Sequence, residues 1–184
     1  MPGEVSFSHG GVLFLDELPE CGKNTLDVLR EPLEGGTVTV SRSAHSVTFP
    51  ADCMLVAAMN PCPCGYATDP RHTCVCSPGL IRRYRARLSG PLLDRIDLHI
   101  DVPAAHYEAL QPGAAPVTSA RMRERVLAAR AVQQARYAEV PYCRTNADLS
   151  GSLLEKHCRM GAPERAFLRE AVQRLALSAR AYTR

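Results

Sequence analysis

An α/β fold in the first part of the chain and a purely helical second part are what this 184-residue sequence predicts. Three observations carry that reading. Val12-Leu13-Phe14-Leu15 and Cys53-Met54-Leu55-Val56-Ala57-Ala58-Met59 are apolar runs without alternation, as in strands buried on both faces of a parallel sheet. Each run stops at a polar residue, Asp16 and Asn60, which sets chemistry along the carboxyl edge of the sheet. After a Pro- and Gly-containing stretch the chain shows only helical patterns, at 119–137, 146–157 and 163–182. The expected organisation is an α/β part over 1–111, a linker over 112–118 and a helical part over 119–184.

The elements between these landmarks follow from spacing. Over Lys23 to Glu34, the residues Leu26, Leu29 and Leu33 share one helical face, a pattern that Pro32 weakens near its end. Gly35-Gly36 closes it. Two β-rich segments, Thr37 to Ser41 and His45 to Phe49, flank Arg42-Ser43-Ala44 and predict a hairpin. Residues 62–76 hold many turn formers and little periodicity. Gly79 to Leu88 predicts a helix with Leu80, Tyr84 and Leu88 as its apolar stripe, and Leu98 to Val102 predicts a third strand.

Composition narrows the class. Hydrophobic residues make up 46% and charged ones 22%, ordinary for a folded soluble protein, while no apolar run approaches the roughly 18 residues of a membrane span. The first residues carry no basic flank followed by an apolar stretch, so the expected location is cytoplasmic, with no membrane partner. Net charge is +3, but residues 1–60 hold 3 Lys/Arg against 8 Asp/Glu, and residues 61–184 hold 19 against 11. The basic second part suits nucleic acid, an acidic neighbouring subunit, or solvent. Arg82, Arg83, Arg85 and Arg87 leave the same three options open, and Arg42 and His45 put basic groups near the hairpin tip.

Two constellations carry chemistry. Asp16-Glu17 ends a buried strand, where one carboxylate suits magnesium and the next suits a water molecule. The alternative is a strand end capped by solvated acids. Four of the eight Cys cluster as Cys62, Cys64, Cys74 and Cys76, two Cys-x-Cys pairs separated by nine residues. Without a secretory leader this predicts a metal site before a disulfide framework, and four thiolates suit a structural Zn²⁺ that leaves no position for substrate water. His72, inside the loop, could replace a thiol, but with four Cys available it is expected to face solvent or to support the site from outside it.

In combination, six stretches resemble the AAA+ ATPases of the magnesium-chelatase-like group, and within it the ComM/YifB type linked to DNA processing. They are Pro2 to Ser6, Gly10 to Glu20, Leu29 to Glu34, Val56 to Gly65, Leu88 to His99 and Leu177 to Tyr182. This resemblance implies a partial P-loop NTPase core with a hairpin insertion and a Cys-rich loop, followed by a truncated helical lid. By position it implies that Asp16 holds Mg²⁺ and Glu17 activates water. Asn60 corresponds to the sensor 1 residue, Arg95 to an arginine finger offered to a neighbouring subunit, and Arg180 to the sensor 2 arginine that touches ATP. It further implies a ring, a hexamer when full length, acting on DNA. No GxxxxGK[ST] loop occurs and the only lysines are Lys23 and Lys156, so the resemblance implies a fragment, inactive alone, cut at both ends. Two other readings remain open: a non-catalytic zinc-containing nucleic-acid-binding module, and a chelatase-type motor subunit.

Overall fold

The computed structural model describes residues 3–42, 45–103 and 117–183. The chain divides into two compact units, Met1–Ala104 and Ala105–Arg184. The first is mixed α/β and the described residues of the second are helical.

The first unit runs α1 (Glu4–Phe7), β1 (Val12–Leu15), a 3₁₀ turn (Leu18–Glu20), α2 (Lys23–Val28), α3 (Arg30–Gly35), β2 (Thr37–Arg42), β3 (His45–Pro50), β4 (Met54–Ala57), α4 (Pro78–Arg85) and α5 (Gly90–Leu93). β1 and β4 pair in parallel, Val12 opposite Met54 through Leu15 opposite Ala57. β2 and β3 form a separate antiparallel hairpin from Thr37–Pro50 to Arg42–His45. Ser43 and Ala44, expected at its turn, lie outside the described residues.

Period-two geometry sends alternate residues of β1 to opposite faces. Leu13 and Leu15 pack against a core of Leu18, Leu26, Leu29, Leu88 and Leu92. The opposite face does not match the expectation of strands covered on both sides. Val12 and Phe14 are 58% and 59% exposed, and their register partners Met54 and Val56 are 57% and 41% exposed. Among the described residues nothing is layered on that face.

The helix expected over Lys23 to Glu34 is two helices, and Pro32 is the cause. Its ring nitrogen has no hydrogen for the Val28 carbonyl four residues earlier, and its ring crowds that carbonyl, so α2 ends at Val28. The Leu26–Leu29 face survives the break and is buried. Gly36, at φ 63, closes α3 in the left-handed conformation that glycine tolerates. The Glu31 carboxylate accepts from the Thr39 amide at 3.2 Å, tying the hairpin base to α3. Thr39–Thr48 and Ser41–Ser46 hydroxyl pairs, at 3.2 and 3.1 Å, line one hairpin face.

The strand expected at Leu98 to Val102 does not form. Those residues are described, belong to no strand, and leave Leu98, Ile100 and Val102 exposed, since a strand needs a ladder partner and none of the described residues supplies one. Tyr84 and Leu88 are buried as the stripe predicts, whereas Leu80 stays partly exposed.

In the second unit, α6 (Ser119–Arg136), a 3₁₀ turn (Asn146–Asp148), α7 (Gly151–His157), α8 (Ala162–Leu175) and α9 (Ala179–Thr183) follow. Most of the segment expected as a linker, 112–116, lies outside the described residues. Thr118 caps α6 by accepting from the Arg121 amide at 3.3 Å. The pattern at 163–182 is interrupted because Ala176 takes a left-handed conformation, φ 48, and Leu177 N–H returns to the Val172 carbonyl at 3.1 Å. Among the described residues of the second unit Tyr137 and Cys143 are buried, and Asn146 accepts from the Tyr137 hydroxyl at 2.8 Å. Among the described residues no helix is long and apolar enough to cross a membrane.

This core makes a direct prediction. Leu26 is 1% exposed and Val28, on the same helix, is 58% exposed. In urea titration Leu26→Ala should cost about 2–5 kcal/mol, and Val28→Ala about 0.5 kcal/mol or less. Equal losses at both positions would contradict this packing.

Candidate functional site

The parallel register of β1 and β4 determines what meets at their carboxyl ends. Ala58 N–H donates to the Leu15 carbonyl at 2.9 Å, and Leu18 N–H donates to the Ala58 carbonyl at 3.0 Å. Between those bonds the chain must reverse, and Glu17 does so in the left-handed region at φ 49, ψ 46. A non-glycine residue there carries strain on the order of 1–3 kcal/mol, of the kind that clusters at functional sites. The reversal sends Leu18 and Pro19 into the core and leaves Asp16 and Glu17 exposed. The Asp16 carboxylate accepts from the Glu17 amide at 2.8 Å, which fixes one oxygen of an exposed side chain. Asn60, three residues beyond β4, is exposed at the same edge.

Helix α4 braces this edge. Arg85 donates through Nε and a terminal nitrogen to the Pro61 carbonyl at 3.2 and 3.1 Å. Arg87 donates to the Pro19 carbonyl at 3.1 Å and pairs with Glu20 at 2.7 Å. Half of the four-arginine cluster therefore serves the fold from within, a role absent from the three options the sequence leaves open. Tyr84 is buried, with the Arg87 guanidinium 5.9 Å from its ring centroid, and burial raises its phenol pKa above the ordinary range. The charges of Glu20 and Glu17 raise it further, while a hydrogen bond with the Asn60 backbone opposes them. Tyr84 thus links the two strand ends. Its place in the apolar stripe marks it as buried, but nothing in the spacing reveals its hydroxyl partner.

Arg95 takes a different partner. It follows α5, where its guanidinium donates to the Pro91 carbonyl and pairs with the Glu34 carboxylate at the end of α3. Sequence reasoning did not single out Glu34, because the two residues are 61 positions apart. Arg180 stands half-buried on α9 in the second unit.

The four clustered cysteines converge. Their sulfurs lie within 4.8 Å of one another, with Cys62–Cys64 at 3.4, Cys64–Cys74 at 3.5 and Cys62–Cys74 at 3.7 Å. Zinc–sulfur bonds of about 2.3 Å at a tetrahedral centre put neighbouring sulfurs about 3.8 Å apart, so the cluster has the size of a four-thiolate site. All four are free thiols. Gly65, at φ 85, turns the chain after Cys64 so that the Tyr66 amide addresses the Cys64 sulfur.

The amides of Tyr66 and then Val75 hold the Cys64 thiol down at about 6, whereas burial and then the neighbouring Cys64 and Cys62 sulfurs push Cys76 up to about 12. One thiolate forms readily and suppresses the next. A bound dication relieves that conflict by neutralising the sulfurs together, so the donor set fits a soft-tolerant tetrahedral ion. His72 does not join the sulfurs. It pairs with Asp69 at 2.8 Å and packs against the Tyr66 ring at 4.8 Å between centroids.

Protein purified reduced and without a metal-binding tag should carry about one zinc per chain by elemental analysis. Cys62→Ser combined with Cys74→Ser should release it while leaving the β1–β4 pairing and the Leu26 core intact by circular dichroism. Reduced, folded protein that holds no zinc even after reconstitution would exclude the site.

The family model "Magnesium chelatase, subunit ChlI" matches residues 1–110, and "Magnesium chelatase, subunit ChlI C-terminal" matches residues 116–184. Competence protein ComM of Haemophilus influenzae is 45% identical over 184 residues, covering 100% of this chain and 35% of the relative. The uncharacterized protein YifB of Escherichia coli is 41% identical over the same length, again with 35% of the relative covered. An uncharacterized Mycobacterium tuberculosis protein is 41% identical over 183 residues, which cover 100% of this chain and 36% of that relative. The chain thus spans about a third of the length of the curated relatives it matches. Two matched models that together take in nearly every residue, with identity of this level from end to end, establish that the chain belongs to the magnesium chelatase ChlI family.

Proposed function

We propose that these residues form the water-activating and subunit-contacting part of a ring-forming, ATP-dependent motor of AAA+ type that remodels DNA in the cytoplasm, a hexamer when full length. The observation that carries the reading is the parallel β1–β4 register, which brings Asp16, Glu17 and Asn60 to one sheet edge. That edge offers the metal-holding and water-activating groups of phosphoryl transfer to water.

Asp16 presents an exposed, hard oxygen donor held in place by the Glu17 amide, which suits Mg²⁺. When bound, Mg²⁺ neutralises charge on the β- and γ-phosphates. Glu17, raised on its strained turn, orients and deprotonates the attacking water. The Asn60 amide holds that water or a phosphate oxygen from the next strand. Arg95 supplies a planar cation to the nucleotide of a neighbouring subunit, and Arg180 does so from the helical unit. The sequence contains no GxxxxGK[ST] loop, so a phosphate-binding loop from outside these residues is part of the proposal.

The Cys₄ site is structural in this scheme. With zinc bound to its closed shell, it pins the loop between the Asn60 strand and α4. The hairpin β2–β3, with Arg42 opposite His45 at its end, is the element assigned to DNA. The exposed face of Val12, Phe14, Met54 and Val56 is the surface that another part of the motor covers.

One observation favours a second reading, a zinc-containing nucleic-acid-binding module without catalysis. The sulfur cluster is complete by itself, whereas the acid edge needs groups from elsewhere. DNA binding by the 184-residue chain that falls steeply with salt and ignores ATP would support the module over the motor.

In the full-length parent, Glu17→Gln should lower steady-state ATP turnover by about 10²- to 10⁴-fold and leave equilibrium nucleotide binding within a few-fold. Turnover near wild type would remove Glu17 from its role. Arg95→Ala should lower turnover by about 10³-fold or more, and in mixed rings the loss should fall on the pocket next to the altered subunit. Loss confined to the subunit that carries the substitution would contradict action across the interface.

A further inference from the structure

We propose that Glu34 is a latch for Arg95: in a chain without a docked neighbour the carboxylate holds the guanidinium within its own subunit, and a neighbour's nucleotide phosphate must displace it. The proposal rests on the reading of Arg95 as a residue acting across the subunit interface. It concerns Glu34, to which that reading assigns nothing.

Three features of the pair point this way. The Arg95 side chain is only 12% exposed, closed in by the Pro91 carbonyl of its own chain and by Glu34, so it is not presented outward in the single chain. Glu34 is 55% exposed, and an ion pair with one half-solvated partner separates at modest cost. The Arg95 Nε–H is buried and has no hydrogen-bond partner among the described residues, so the paired state leaves one donor of the fork unused.

A phosphate offers the same kind of oxygen acceptors as a carboxylate, with more negative charge and room to engage the fork in a bidentate manner. Exchange of Glu34 for phosphate therefore needs no new chemistry at Arg95, only a swing of its side chain. The latch lies at the α3 terminus, one residue before the Gly35–Gly36 turn that leads into the β2–β3 hairpin. Release of Arg95 is thereby felt at the base of the hairpin assigned to DNA.

The test uses the full-length parent carrying Glu34→Gln, Arg95→Ala, or both. Nucleotide-dependent self-association is followed by sedimentation with a non-hydrolysable ATP analogue, and ATP turnover is followed against protein concentration. Glu34→Gln should lower the concentration for half-maximal association by about two- to fivefold, the equilibrium worth of an ion pair with one half-solvated partner. In the Arg95→Ala background the same substitution should have no effect. A merely structural pair predicts the opposite sign, a lower melting temperature with association shifted to higher concentration. That outcome, or no shift, in protein whose turnover is lost on Arg95→Ala overturns the latch and leaves the interface role standing. Full turnover in Arg95→Ala overturns both. Should Glu34→Gln not fold, Glu34→Ser carries the same expectation.

Discussion

The pairing of β1 with β4 is the constraint from which the rest of the first unit follows. Parallel strands cannot be joined by a tight turn, so everything between Leu15 and Met54 is a crossover that must return to the starting edge. The crossover carries α2 and α3, and Leu26 of α2 with Leu29 at their junction covers the face bearing Leu13 and Leu15. Because both strands run the same way, their carboxyl ends coincide, and a single edge collects the acids of one and the Asn60 segment of the other. An antiparallel partner would have put Asn60 at the opposite end.

Helix α4 converts that coincidence into a defined site. Backbone carbonyls at Pro19 and Pro61, which follow the two strand ends, would otherwise face solvent without partners in irregular chain. Arg85, the last residue of α4, and Arg87, just past its C-terminus, reach them, and the buried Tyr84 packs beneath Arg87. Charged donors to carbonyls form stronger bonds than neutral ones, so a helix of this length suffices to hold two loops. Ser77 begins α4 by accepting from the Leu80 amide at 3.3 Å, one residue after Cys76. The cysteine loop and the acid edge are consequently held near the two ends of one helix.

The chain also separates two kinds of charge problem. At the sulfur cluster, anions are crowded and partly shielded from water, which favours a resident cation. At the acid edge the carboxylates of Asp16 and Glu17 are exposed, so water already screens their charge and no resident cation is needed. Arg95 and Glu34 present a third case, a guanidinium that is mostly buried and paired with a carboxylate that is half in solvent.

Much of this was legible in the residues alone. Unbroken apolar runs ending in Asp16-Glu17 and Asn60, two Cys-x-Cys pairs in a turn-rich loop, and Pro32 in a leucine-striped helix each act over a few neighbouring positions. For such local signals the residue types determine the outcome: strand ends, a sulfur cluster, a leucine-striped helix weakened by its proline, although the break at Val28 shows only in the folded chain. The family itself was legible too, because its motifs are short and contiguous. Tertiary structure decided whatever depends on a partner distant in the chain. Leu98 to Val102 has the composition of a strand and forms none, since a ladder needs a second strand that composition cannot supply. Ala176 breaks a helix where no glycine announces it. The uses of Arg85, Arg87 and Arg95 depend on carbonyls and a carboxylate 24, 68 and 61 positions away. An arginine has the same residue type whether it faces water, phosphate or its own fold, and only the folded chain places an acceptor within its reach.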